Sequence, residues 1–247
     1  MKIIDEIFDD ISFKIGPEKN IRKEYLYRII KRFYKLAGLE KKFIFKNLII
    51  PNDKLDHELK NALLNIKAMA SYANGYIINR ICKNLKDDQI YVNIGIWKGF
   101  SLIAGMVNTN CHVDGIDNFS EFKETNPKEE FLTNFNRYKN TSKHKFYEMD
   151  YKIYLKEFES RKVPINFYFY DGAHYYKDQL ENLEIAHNFF AKDTIILIDD
   201  FNGEQVEQAT MDFISKYPNQ FKILKQNKTK NLNHPSFWNG NMIFQRV

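Results

Sequence analysis

The chain has 247 residues, 44% of them apolar and 15% aromatic, enough for one large core domain with or without a small accessory part. A formal charge of +5 is far below what a dedicated nucleic-acid binder carries, and no apolar run approaches the roughly 18 residues of a membrane span. Cys82 and Cys111 match no paired-ligand spacing, which favours a reduced cytoplasmic setting, and the early acids of Met1-Lys2-Ile3-Ile4-Asp5-Glu6 argue against a secretory leader.

Up to about residue 87 helical periodicity dominates. Ile21, Tyr25, Ile29 and Phe33 recur every four residues, and Gly38 is placed to end their helix. Arg22, Lys23, Arg28, Lys31, Arg32 and Lys35 decorate the same helix, either as a solvated face or as a surface for an anionic substrate or partner. Phe43 to Ile50 reads as a hydrophobic connector or lid segment. A second helix carries Leu55, Leu59, Leu63, Ile66 and Ala70 on one face, and Asn74-Gly75 is expected to break it before Tyr76–Leu85 resumes. Residues 1–87 are thus an N-terminal helical cap or extension, with a homo-oligomer contact beside the cleft as one use for it.

From residue 88 strand and helix alternate. Strands are expected at Gln89–Ile94, His112–Ile116, Lys145–Glu148, Ile165–Tyr170 and Thr194–Ile198. Helices fall between them at about Phe100–Val107, Phe131–Lys139, Tyr151–Ser160 and Lys177–Phe190. Glu204–Tyr217 is a further helix, and Phe221–Gln226 and Asn241–Arg246 are late strands. The order predicts an α/β, Rossmann-like, doubly wound domain over 88–247. Its seven-stranded sheet is mostly parallel, with an antiparallel C-terminal edge. Lys225–Asn233 is the expected loose loop.

Chemistry concentrates at strand ends, where open α/β sheets bind their ligands. The first strand runs into Asn93-Ile94-Gly95-Ile96-Trp97-Lys98-Gly99-Phe100-Ser101, a turn whose glycines let backbone pass close to a ligand. It lacks the G-x-G-x-x-G of dinucleotide sites and the Gly-Lys-Ser/Thr of a P-loop. Asp117 ends the second strand, at the spacing from Gly95 where an acid meets ribose hydroxyls; a capping aspartate is the alternative. Asp150 ends the third strand, either as a turn aspartate or as a contact to an adenine amino group. Asp171-Gly172-Ala173-His174 closes the fourth strand and Asp199-Asp200 the fifth, gathering three carboxylates and an imidazole suited to a hard divalent cation and a general base. His57, His112, His144, His187 and His234 lack such surroundings and read as surface or packing residues.

This succession of motifs resembles the class I S-adenosylmethionine-dependent methyltransferases, and more narrowly the metal-dependent O-methyltransferases acting on sugar hydroxyls of macrolides and related glycosides. The likeness covers roughly residues 88–247. It implies S-adenosyl-L-methionine held by Asn93, Gly95, Gly99, Ser101, Asp117, Asp150 and Asp171. It further implies Mg2+ on Asp171, Asp199 and Asp200, and His174 as the base that deprotonates a small-molecule or glycan hydroxyl, with Asp171 beside it. The chain departs from the family at Asn93, where Glu or Asp is usual, and at Ala191-Lys192-Asp193, where a glycine pair commonly precedes the final core strand. An amide at residue 93 can only hydrogen-bond to a cationic group, a weaker contact than a carboxylate makes. A metal-dependent hydrolase using the same Asp/His cluster, and a degenerate methyltransferase fold serving as a binding module, are the competing readings.

Overall fold

The computed structural model describes residues 2–17 and 21–247. The side chains of Ile21, Arg22, Lys23 and Arg28 lie outside that description. In the N-terminal third, α1 (Lys2–Asp9) leads to the short strand β1 (Ser12–Phe13) and then to α2 (Ile21–Leu36) and α3 (Glu40–Asn47). The short strand β2 (Leu48–Ile49) follows and pairs antiparallel with β1, ahead of α4 (His57–Asn65) and α5 (Tyr72–Asn84). Gly38, at φ +67°, lies just past the end of α2, where the sequence places a stop.

Three expectations in this region are corrected. Phe43 to Ile50 is not a separate connector or lid segment: residues 43–47 belong to α3, and Leu48–Ile49 form β2. The second helix stops at Asn65, and Ile66 is its extended C-cap. Asn74-Gly75 breaks nothing, because α5 begins earlier, at Tyr72, where the Ser71 hydroxyl accepts the Asn74 N–H at 3.3 Å. Gly75 instead permits close helix packing: a Cβ there would stand 2.6 Å from Leu63 Cδ1 and 3.1 Å from the Phe100 ring.

The remainder alternates as expected: β3 (Ile90–Ile94), α6 (Phe100–Met106), β4 (His112–Asp117), α7 (Pro127–Tyr138), β5 (His144–Glu148), α8 (Tyr151–Phe158), β6 (Ile165–Tyr170), α9 (Tyr176–Ala186), β7 (Phe190–Asp199), α10 (Glu204–Lys216), β8 (Phe221–Asn227) and β9 (Asn241–Arg246). Helix α7 starts four residues ahead of the expected position because Pro127 occupies its first turn, where a missing N–H costs nothing. The seven strands order as β5-β4-β3-β6-β7-β9-β8; β9 is antiparallel to both of its neighbours, so the last two strands form an antiparallel pair at that edge.

All five residues of β3 are buried, as expected of a strand covered on both faces. Tyr91, Phe167 and Phe169 pack into one layer with α1, α4, α5, α6 and α7, while Val92, Ile94, Tyr168 and Tyr170 pack into the other with α8, α9 and α10. Period-two alternation along each strand assigns its side chains to these two cores. The segment after β8 is not loose. Asn202 Nδ2 donates to the Thr229 carbonyl at 2.6 Å, Thr229 N–H returns a bond to Asn202 Oδ1 at 3.0 Å, and His234 bridges Trp238.

Candidate active site

The Gly95 turn and the Asp171 turn are built against each other. Gly95 sits at φ +82°, and a Cβ on it would lie 1.9 Å from the Asp171 carbonyl oxygen. The Asp171 N–H in turn donates to the Ile94 carbonyl at 2.9 Å, extending the β3–β6 ladder by one bond. Gly172 is required by packing: the Tyr170 ring stands 2.8 Å from where its Cβ would be. These contacts fix the carboxylate of Asp171 at the mouth of the crevice between β3 and β6.

Across that mouth, β7 ends in Asp199 and Asp200. Asp200 adopts φ +52°, a left-handed turn that aspartate tolerates, and its carbonyl accepts the Gly203 N–H at 2.8 Å. His174 Nε2 lies 3.5 Å from Asp171 Oδ1 and 3.3 Å from Asp200 Oδ2. The donor atoms of Asp171, His174 and Asp200 lie within 4.8 Å of one another, and among the described residues this is the grouping suited to a metal ion. Asp199 is nearly fully buried behind them, its Oδ1 accepting the Asn74 Nδ2 at 3.2 Å.

Electrostatics follow from this crowding. Withdrawal from water raises the Asp171 carboxyl to about 6; the His174 hydrogen bond opposes the rise and the Asp200 charge adds to it. Asp199 is pushed well above the carboxylate range by burial, then by the charges of Asp171 and Asp200. Burial pulls the His174 imidazole down, but the Asp171 hydrogen bond and the charges of Asp171, Asp200 and Glu121 outweigh it, so its pKa rises. Carboxylates that repel one another this strongly are held in a state that a divalent cation would relieve, and their oxygens are the ligands magnesium prefers.

At the other end of the crevice, Asp117 ends β4. Its Oδ2 accepts the Ile96 and Trp97 N–H groups at 2.8 and 3.0 Å, and its Oδ1 accepts the Phe119 N–H at 2.7 Å. Three of a carboxylate's roughly four lone-pair positions are so engaged, leaving room for a hydroxyl. Gly99, in the left-handed region, is the N-cap of α6, with Ser101 in the first turn behind it. Asn93 is fully buried; its Nδ2 donates to the Tyr91 hydroxyl at 2.7 Å, and its Oδ1 has no partner among the described residues. Asp150 caps α8 through the Lys152 N–H at 2.8 Å. A cavity of about 320 Å³ opens beside the acidic end, lined by His174, Asp200, Gly203, Glu204, Gln205, Val206, Leu232 and Asn239.

Sequence reasoning missed the supports. Asn241 Nδ2 donates to Asn74 Oδ1 at 2.9 Å, and Asn227 Nδ2 to Asn241 Oδ1 at 2.7 Å, so a buried amide chain runs from β8 to Asp199. The available signal was asparagine at residues 74 and 241 inside otherwise apolar elements, where a polar side chain needs a partner.

Residues 92–201 match the family described as a methyltransferase domain. Among solved structures, the chain resembles the O-methyltransferase from Bacillus cereus in complex with S-adenosylhomocysteine. The TM-score is 0.59 at 15% identity, covering 78% of this chain and 92% of that one. It likewise resembles the O-methyltransferase TomG from Streptomyces achromogenes, involved in tomaymycin synthesis and solved with S-adenosylmethionine. That TM-score is 0.58 at 12% identity, covering 78% of this chain and 91% of that one. No curated protein matches the chain. The likeness to these structures shows the Rossmann-like fold expected from the strand and helix order, and the methyltransferase-domain match falls within its sheet.

Proposed function

We propose that the protein is an S-adenosylmethionine-dependent, Mg2+-assisted O-methyltransferase acting on a hydroxyl of a sugar, glycoside or similar small molecule. The observation that carries this reading is the meeting of Asp171, His174 and Asp200 at the ends of adjacent strands, directly against the Gly95 turn. The glycine turn and Asp117 suit a nucleoside with a ribose diol; the carboxylates suit a hard cation.

When bound, the cofactor supplies an electrophilic sulfonium methyl and the cation lowers the pKa of a coordinated hydroxyl. Asp171 and Asp200 would hold the cation, with Asp199 buried beside them as the third carboxylate. With those carboxylates turned to the cation, the His174 imidazole beside them would take the hydroxyl proton. The Asp171 turn, fixed by Gly95 and Tyr170, keeps that imidazole and the acceptor oxygen in register, so much of the rate comes from positioning. The cavity beside His174 and Asp200, with Leu232 and Asn239 on its rim, takes the acceptor.

Calorimetry with S-adenosylhomocysteine, followed by methyl-transfer assays on a panel of glycosides with and without Mg2+, tests the reading. Saturable binding and chelator-sensitive transfer are expected. Absence of adenosyl-ligand binding sinks it, and ester or phosphate hydrolysis without that ligand would replace it with the hydrolase.

A further inference from the structure

Charge is not spread evenly along this chain. Residues 21–46 contain nine Lys and Arg against two Glu, a local +7 in a chain whose total is +5. They form α2 and α3, and Arg32, Lys35, Lys42 and Lys46 on these helices are exposed. Alongside them lies apolar surface that α2 leaves uncovered: Tyr25 is 69% exposed, Ile29 40%, Phe33 69% and Leu36 80%. At about 100° per residue these four fall within about 80° of arc, a single stripe about 16 Å long. Leu39, just beyond the helix, continues it at 40% exposure. Isolated exposed apolar residues need no explanation, but a contiguous helical stripe flanked by cations does.

We propose that this α2–α3 face docks onto an anionic lipid surface, α2 lying in the interface with its apolar stripe among the acyl chains and Arg32 and Lys35 among the headgroups. Charge complementarity selects this occupant. A helix of low overall hydrophobicity with one apolar and one cationic face partitions to anionic bilayers, through apolar burial and attraction acting together. A second copy meeting the same face about a two-fold axis would set Arg32 and Lys35 near their own counterparts, a repulsive arrangement. Nucleic acid would use the cations and could stack on Tyr25 and Phe33, but it would leave the aliphatic Ile29, Leu36 and Leu39 uncovered, and these are the side chains that acyl chains bury. Docking would be felt at the acceptor cavity. Lys31 on α2 donates to the Asn233 carbonyl at 3.5 Å and sits 5.9 Å from the Trp238 ring, in the segment whose Leu232 and Asn239 rim the cavity.

Sedimentation of the full chain with phosphatidylcholine vesicles, with and without phosphatidylglycerol, tests this. Pelleting only with phosphatidylglycerol, reversed by high salt, is expected. The double variant Arg32→Glu/Lys35→Glu should bind these vesicles at least tenfold more weakly, from roughly fivefold per lost cation. Phe33→Ser/Leu36→Ser should weaken binding comparably. All four side chains are exposed, so unchanged thermal melting is expected and separates lost docking from lost folding. A chain that stays in the supernatant with phosphatidylglycerol vesicles overturns the proposal, as do variants that bind like the parent. An RNA duplex bound in place of vesicles, or a dimer that Phe33→Ser/Leu36→Ser dissociates without any vesicle binding, reassigns the face. Vesicle binding is measured without cofactor or acceptor, so its failure would leave the methyl-transfer reading standing.

Discussion

The Asn74 side chain donates a hydrogen bond to Asp199 across 125 residues of sequence, at 3.2 Å and out of contact with water. It joins the first turn of α5 to the end of β7. The same amide accepts from Asn241, so both of its polar atoms are engaged and it has one orientation only. Asp199 is thereby held from behind, leaving its neighbour Asp200 to face His174.

Asn74→Ala should therefore cost more than one hydrogen bond. It strands the Asp199 carboxylate and the Asn241 amide in the core, at about 1–3 kcal/mol for each unsatisfied group. Loss of a residue that orients a metal-binding carboxylate typically weakens the metal about 10–100-fold. Urea unfolding and Mg2+ titration by calorimetry read the two effects separately. Unchanged metal affinity in a folded variant would make Asn74 merely structural.

Gly95→Ala should be the most damaging small substitution in the domain. The backbone penalty at positive φ is roughly 1–2 kcal/mol, and the added methyl must also displace the Asp171 carbonyl. Because that carbonyl belongs to the turn bearing Asp171 and His174, adenosyl-ligand affinity and metal affinity should fall together. Calorimetry with each ligand alone checks this; loss of one without the other would show that the turns move independently.

His174→Ala should lower kcat about 10²–10⁴-fold, the usual contribution of a positioned base, while leaving adenosyl-ligand binding intact. Single-turnover methyl transfer is the direct measurement. A variant of near-normal rate, measured below saturating pH, would remove His174 from the proton-transfer role.

His144 supplies a pH dependence far from the site. It is fully buried, neither ring nitrogen has a partner among the described residues, and burial together with the Lys139 charge lowers its pKa from 6.5 to about 4. The unfolded chain takes up a proton as pH falls through 6.5, while the folded chain refuses it until about 4. The neutral ring's contribution is thus fully present above 6.5, is lost progressively between 6.5 and 4, and changes no further below. At about 1.4 kcal/mol per pH unit the loss approaches roughly 3–4 kcal/mol. Urea midpoints measured from pH 7 to 4 should fall steeply in the parent and less in His144→Leu.

Most of the sheet was legible because its strands are continuous apolar runs and a buried strand has no other composition open to it. Ile165–Tyr170 and Asn241–Arg246 fall where the pattern puts them. Asp171, His174 and Asp200 were legible for a related reason: polar residues directly after such runs sit at strand ends, and a parallel sheet brings those ends together. Asn74-Gly75 misled because the dipeptide is a turn signal in isolation, whereas here Gly75 is demanded by Leu63 and Phe100 packed against it.

The sequence by itself determined the alternation of strands and helices, the doubly wound fold, and the placing of Asp117, Asp171 and Asp200 at strand ends, because burial and periodicity act locally along each element. Only the tertiary structure decided how those side chains divide their work. Asp199 turns inward to Asn74 while Asp200 and Asp171 face His174, and Asn93 is sealed against Tyr91. It also decided that Tyr25, Phe33 and Leu36 stay uncovered. The inward turn of Asp199 depends on a partner 125 residues away in sequence, and no local pattern carries that information.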